Sequence, residues 1–223
     1  MFDGEAPFIN EQFFAERVTP AQLDRLLANG WRHFGTQFFR YSYGFYELDV
    51  RLVIPLRIRI ADFLPSKSQR RTLRRNADLN TFVRPVDLTA DAEELFQTHK
   101  QRFKSGVPDS IYDFLSLSAD SEPCEAQEIA AYDGDRLIAA SYFDVGATAN
   151  SGIYGMFDPD HSARRLGIYT LLREIEIARD TSKEFYYLGY AYEGSSFYDY
   201  KKQFSGTEWF DWSGNWQRFE FEV

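Results

Sequence analysis

Apolar positions along this chain switch between two periods, and the switches mark its elements. Leu23, Leu26 and Leu27 recur at helical spacing after Thr19-Pro20, a capping residue followed by proline at the first helical position, and Asn29-Gly30 closes that helix. Before it, residues 1–18 are aromatic without clear periodicity and read as a docked arm. Residues 31–41 predict a strand, Tyr43-Gly44 a turn, and residues 46–60 a long β-rich stretch. Within it, Arg57 and Arg59 alternate with Leu56, Ile58 and Ile60, which puts both arginines on one face of a sheet, away from the apolar face. A strand over 78–87, a helix over 89–104 with Leu95 and Phe96 inward, a short helix over 110–117 and a polar loop over 118–125 follow. The pattern then sharpens. Residues 129–132 and 137–145 form a hairpin about Asp133-Gly134-Asp135, and 151–157 is a third strand. A helix starting at Arg164 or Arg165 runs to about Thr181, with Leu171, Leu172, Ile175 and Ala178 at helical spacing. A buried strand over 185–190, a short helix over 195–202 and an aromatic hairpin over 209–221 complete the chain.

This order predicts an α/β (α+β) chain in two parts, a β-rich part with a basic helix over 1–85 and a second part over 86–223, packed as one unit. With 44% hydrophobic and 17% aromatic residues the chain can bury a core, which excludes disorder. One cysteine, Cys124, excludes an internal disulfide and a cysteine-rich metal site. His33, His99 and His161 are far apart, so a histidine zinc site would have to be assembled by the fold. The N-terminus shows no secretory pattern, and no run of about 20 apolar residues occurs, so a cytoplasmic protein without a membrane partner is expected.

A formal net charge of -9 argues against broad binding to DNA or other nucleic acid. It leaves room for a local basic site, because salt screens surface fields beyond about 8–10 Å. Residues 66–76 are such a place: Lys67, Arg70, Arg71, Arg74 and Arg75 are cationic. On a helix Arg70 and Arg74 share a face and Arg71 and Arg75 lie beside them. Like charges at this spacing repel by a few tenths of a kcal/mol, so the segment is expected to meet a carboxylate or a phosphate.

The C-terminal half carries Arg164-Arg165-Leu166-Gly167-Ile168-Tyr169 where a strand gives way to a helix. This resembles the acyl-donor loop of the GCN5-related acetyltransferase (GNAT) fold, with Tyr169 where a second small residue is usual. A helix N-terminus offers unpaired N–H groups, and glycine lets a phosphate approach. Residues 54–63 (IPLRIRIADF) and 66–79 (SKSQRRTLRRNADL) look like the signature of aminoacyl-tRNA–protein transferases, the arginyl-transferases and their bacterial leucyl-transferring relatives. Phe157-Asp158-Pro159-Asp160-His161-Ser162, Leu166-Gly167-Ile168-Tyr169, Glu174-Ile175-Glu176, Tyr187-Leu188-Gly189-Tyr190 and Tyr200-Lys201 with Phe204 agree, in family order, over residues 20–206. The resemblance implies a GNAT-like, mainly antiparallel sheet flanked by helices. The family's cysteine-rich segment aligns with Glu47, Val50 and Val53, which could not hold a cluster. A short bacterial branch without metal or other cofactor is therefore expected.

The implied reaction moves an aminoacyl group from the 3′ ester of tRNA to the N-terminal amine of a protein, here one with N-terminal Asp or Glu. The ester is already activated, so positioning, deprotonation and oxyanion stabilisation suffice. The resemblance implies that Arg164, Arg165 and the Gly167 backbone hold the tRNA end. Gln69, Arg70, Arg71, Arg74 and Arg75 would contact the acceptor stem or the acidic residue of the target, and Arg57 would point into the cleft. Asp158 and Asp160 are candidates to orient the amine or act as base, although Asp-Pro-Asp also suits loop capping. Tyr190, Tyr198 and Tyr200 could donate to the leaving oxygen, Lys201 could neutralise phosphate, and His161 lies beside the proposed site. Two alternatives stay open, an acyl-coenzyme A-dependent N-acyltransferase and a binding protein without turnover.

Overall fold

The computed structural model describes residues 6–104 and 106–219. The expected arm contributes strand β1 (Asn10–Phe14), with residues 1–5 outside the described range. Helix α1 (Pro20–Ala28) starts on Thr19, whose hydroxyl accepts the Gln22 N–H while the Gln22 side chain returns to the Thr19 backbone. The aromatic stretch after it is two strands, β2 (Arg32–Phe34) and β3 (Gln37–Tyr41), because Gly35 at φ +49 lets the chain reverse there. Strands β1, β3 and β2 form a small antiparallel sheet.

Strand β4 (Tyr43–Tyr46) corrects the expected turn at Tyr43-Gly44: the chain reverses at Glu47-Leu48 instead, before β5 (Asp49–Arg59). Gly44 serves close packing, since a Cβ there would lie 3.3 Å from the Tyr41 and Val53 side chains. Helix α2 (Lys67–Arg75) follows, then β6 (Asn80–Pro85), α3 (Ala90–Lys100), β7 (Ala126–Asp133), β8 (Arg136–Val145) and β9 (Ala149–Phe157). Helix α4 (Leu166–Asp180) begins one residue later than expected, because Arg165 sits in the left-handed region at φ 57. Strand β10 (Phe185–Tyr192) returns to the sheet, and a 3-10 turn over Phe197–Gln203 leads to β11 (Thr207–Phe210) and β12 (Trp216–Arg218). Phe221 of the expected terminal hairpin lies outside the described residues.

The large sheet runs β12-β11-β5-β10-β9-β8-β7-β6, with β4 on β5. Its strand pairs are antiparallel except β9–β10, which α4 connects. Strand alternation explains how both faces of β7 and β8 are covered. Ala130 and Ala140 pack with Ala92, Leu95 and Phe96 of α3, while Ala131 and Ala139 pack with Leu166 and Tyr169 of α4. Alanine at these four places lets the helices approach closely. β5 and β10 form the largest core with Leu172, Ile175 and Ala178 of α4 and with Phe204, Phe210 and Trp212.

Arg57 and Arg59 do share a face and both pair with Glu208. That face is not free at Arg57, which is buried: its guanidinium stacks 3.8 Å from the Phe185 ring and 4.2 Å from the Trp216 ring. The C-terminal hairpin supplies Glu208 and Trp216, and a period of two could not foresee that a second layer would close over these arginines. No described helix is long and apolar enough to cross a membrane.

Candidate active site

The two parallel strands part company. β9 and β10 pair only over Ala149–Ser151 and Phe185–Tyr187, although β9 runs on to Phe157 and β10 to Tyr192. The ladder ends where the β10–β5 register shifts between Tyr187 and Gly189, and Gly189 holds φ +82 there, a conformation that glycine adopts without penalty. Arg32 from β2 fills the edge that β10 leaves. Its guanidinium donates to Ser151 Oγ at 2.7 Å and to the Gly152 carbonyl at 2.5 Å.

A second cation faces it. Lys201 Nζ donates to the Tyr190 carbonyl at 3.0 Å, and a Cβ on Gly189 would lie 3.4 Å from both Lys201 Nζ and the Arg32 guanidinium carbon. Burial, and next the positive charge of Arg32, push the Lys201 ammonium down to about 7. Pro55, which has no N–H, stands opposite Tyr190 in the β5–β10 register, while Gly189 and Ala191 face Leu56 and Ile54. Alternation of the antiparallel ladder then turns the Tyr190 N–H, like its carbonyl, toward the opening. Beneath lies Glu174 of α4, whose carboxyl burial raises to about 8 and which accepts from the Tyr186 hydroxyl. Tyr200 makes no side-chain hydrogen bond among the described residues, and burial raises its hydroxyl to about 12. Arg102, just past α3, lies over the Phe157 ring at 4.6 Å and near the Phe197 ring at 5.8 Å.

The two basic segments form one surface. Arg75 donates to the Ala163 carbonyl, Asn76 Nδ2 to the Arg164 carbonyl at 2.9 Å, and Arg165 to Ser68 Oγ at 2.7 Å. Arg70 turns back to the Pro65 carbonyl, whereas Arg71 and Arg74 are exposed with no partner among the described residues. Gln69 is buried and closes the capping box with Ser66, so its side chain is committed to holding α2 in place. Arg164 is bidentate to Asp78, at 2.9 and 2.8 Å, and that pairing holds the Asp78 carboxyl below its usual range. No side chain among the described residues caps α4, and while the Ile168 N–H bonds the Arg165 carbonyl at 3.0 Å, the Leu166 and Gly167 N–H groups are left available to an anion. Gly167 packs on the Phe157 ring, 3.3 Å from where its Cβ would be. This helix start and the splay both lie at the carboxyl ends of the parallel strands, the usual place for a ligand in α/β sheets.

Other expected residues fall elsewhere. Asp158 is buried, accepts the Asp160 N–H at 2.9 Å and pairs with Arg136 at 2.6 Å, so it caps the turn before α4. Asp160 is exposed in that turn, and His161 Nδ1 is 3.2 Å from Asp158. Tyr190 donates its hydroxyl to the Gly30 carbonyl at 2.6 Å, which leaves its backbone as the part turned to the opening. Arg57, between Glu208 and two rings, is outside the splay. Arg32 and Arg102 carry no sequence signal as site residues, and Glu174 stands in the sequence only as part of the Glu174-Ile175-Glu176 motif, with no role attached. The sequence marks Arg32 only by its place beside His33 in an aromatic strand, where alternation cannot put both on a solvent face.

Residues 91–211 match the family described as "Arginine-tRNA-protein transferase, C terminus". Similar curated proteins named aspartate/glutamate leucyltransferase occur in Cereibacter sphaeroides, 34% identical over 170 residues, and in Stenotrophomonas maltophilia, 32% over 179 residues. The alignments cover 72% of this chain and 60% of the first relative, and 76% of this chain and 70% of the second. The chain thus spans about 60% of the length of the first relatives it matches. Among solved structures, FemX superposes with a TM-score of 0.54 at 11% identity, covering 91% of this chain and 70% of that one. L-PGS from Bacillus licheniformis superposes at 0.51 and 11% identity, covering 83% and 55%. These two likenesses concern the fold, a GNAT-like mixed and mainly antiparallel sheet. With more than half its length inside the family match and relatives above 30% identity, this chain belongs to the arginine-tRNA–protein transferase family.

Proposed function

We propose that this chain is an aminoacyl-tRNA–protein transferase that moves an amino acid from tRNA to proteins with N-terminal Asp or Glu, the marking step of an N-degron. Leucine is the first choice of amino acid, after the names of the relatives, and arginine the second. The observation that carries the reading is the pair of basic side chains, Arg32 and Lys201, in a splay that lies, like the basic surface at the start of α4, at the carboxyl ends of the parallel strands.

In this reading Arg71, Arg74 and Arg165 follow the phosphates of the acceptor end, and the uncapped start of α4 takes the last of them. The ester carbonyl lies in the splay. The acceptor ammonium, whose ordinary pKa is about 7.7–8, loses one proton to solvent, and the free amine attacks the carbonyl carbon and gives a second proton to neutral Lys201 as the C–N bond forms. The oxyanion is met by the Arg32 guanidinium and the Tyr190 N–H. As the C–O bond breaks, the ribose 3′-oxygen takes that proton from Lys201, directly or relayed through the Tyr200 hydroxyl. No covalent intermediate and no metal take part in this scheme. An aminoacyl-tRNA donor would suit a cytoplasmic protein.

The test is transfer of labelled Leu, Arg or Phe from their tRNAs, run separately, to peptides beginning with Asp, Glu or Ala. Label on the Asp and Glu peptides from Leu-tRNA is expected. Failure with all three tRNAs, under conditions where the Stenotrophomonas relative works, would sink the reading. Tight calorimetric binding of acetyl-coenzyme A would favour an acyl-coenzyme A donor instead.

A further inference from the structure

Three side chains able to bind a metal meet beneath Arg32. His33 of β2, Cys124 just before β7 and Asp144 of β8 are all buried, and their donor atoms lie within 4.8 Å of one another. Ala126 is the register partner of Asp144, and Cys124 stands two residues before it, so Cys124 and Asp144 point from the same side of the β7–β8 pair. His33 arrives from the small sheet, next to the residue that reaches into the splay. The separations are 2.9 Å from His33 Nε2 to Asp144 Oδ2, 3.8 Å from Nε2 to Cys124 Sγ, and 3.3 Å from Sγ to Asp144 Oδ1.

The other ring nitrogen settles the tautomer. His33 Nδ1 lies 2.9 Å from the Gly35 carbonyl, which can only accept, so Nδ1 carries a proton. Nε2 then faces Asp144 Oδ2 at hydrogen-bond distance, a contact that either one shared proton or a metal ion bound to both groups would bridge. A histidine that donates one ring N–H to a backbone carbonyl while presenting the other nitrogen to thiolate and carboxylate matches the outer support of metal-binding histidines. Leu23, Leu27, Phe38 and Tyr187 share the cluster with Cys124, the Phe38 ring stacks on His33 at 4.8 Å, and the Arg32 guanidinium and Glu174 carboxyl lie within electrostatic reach of Asp144.

We propose that His33 Nε2, Cys124 Sγ and Asp144 form a zinc site that pins β2 to the β7–β8 pair and so holds Arg32 at the splay. Nitrogen, sulfur and oxygen donors suit zinc, with bonds of about 2.0–2.3 Å that put ligand atoms roughly 3.3–3.6 Å apart in a tetrahedron. The observed triangle needs His33 and Asp144 to separate by a few tenths of an ångström. Binding exchanges two protons, one from the thiol and one from the His33–Asp144 contact, for one divalent ion. The resulting set, with thiolate, carboxylate and neutral imidazole, carries no net charge, which suits a buried site. This departs from the expectation of a metal-free protein, which rested on Glu47, Val50 and Val53; those positions lie in the β4–β5 hairpin.

The experiment measures metal in the full chain, purified without a histidine tag from zinc-supplemented culture. One zinc per chain by elemental analysis is expected. Cobalt(II) substitution should give a near-ultraviolet thiolate-to-cobalt band, and C124S should abolish it while its circular dichroism stays folded. D144N should bind cobalt at least tenfold more weakly, and it carries the test if C124S does not fold. A folded chain that takes up no zinc in culture or on refolding with zinc, or a cobalt band that survives C124S, overturns the proposal. So does nitrogen NMR showing both His33 ring nitrogens protonated in the zinc-treated protein. None of these readouts depends on transfer activity.

Discussion

Replacing Lys201 by methionine separates catalysis from stability, because the two effects have opposite signs. The ammonium is held from 10.5 down to about 7 by burial and by Arg32. Between those values the unfolded chain binds a proton that the folded chain does not, so wild-type stability rises with pH through this window. Below pH 7 the folded protein carries the full penalty, on the order of 5 kcal/mol from the shift alone. Lys201→Met removes that penalty and leaves the Tyr190 carbonyl without its donor, a loss of about 1 kcal/mol. The variant should therefore melt higher than wild type at pH 6, by an amount that shrinks toward pH 10. Its transfer rate should fall by about 10²–10⁴, the usual worth of a positioned acid or base. The wild-type rate should rise with pH through about 7, and that limb should vanish in the variant. Single-turnover transfer from Leu-tRNA to an Asp-peptide across pH 5.5–8.5, beside thermal melts at the same pH values, reads both effects. A variant with the wild-type rate and the same pH limb would refute Lys201 as the base. A variant less stable at pH 6 would refute the account of its burial.

Other outcomes follow from the same geometry. Arg71→Ala and Arg74→Ala should each weaken tRNA binding and lower the slope of log affinity against log salt by about 1, with an unchanged melting temperature, because neither side chain has a partner among the described residues; filter binding at several salt concentrations checks this. Arg57→Ala removes one of the two arginines on the buried Glu208, leaving it to Arg59, and should cost about 1.5–3 kcal/mol in urea unfolding, without a change in the pH limb of transfer. Gly189→Ala forces alanine to φ +82 and brings its methyl to 3.4 Å from both cations, so stability should fall by about 1–2 kcal/mol and transfer should drop more steeply than stability alone explains.

The sequence alone determined much of the scaffold. Leu171, Leu172, Ile175 and Ala178 announced α4, the Asp133-Gly134-Asp135 turn announced the β7–β8 hairpin, and Ser66 followed by Gln69 and a run of arginines carries a helix start and its charge in adjacent residues. Such signals are local, because capping, turn chemistry and period act within a few residues. Lys201 was named from its motif, but as a phosphate partner; its depressed basicity came from tertiary burial beside Arg32. Alternation put Arg57 and Arg59 on one face, but it specifies a face and not what covers it, here Glu208 and the Phe185 and Trp216 rings. The decisive contacts are long-range. Arg32 meets Gly152 across 120 positions, and His33 meets Asp144 across 111. Both depend on how far β9 and β10 stay paired and on where the small sheet docks, and only the packed structure decides that.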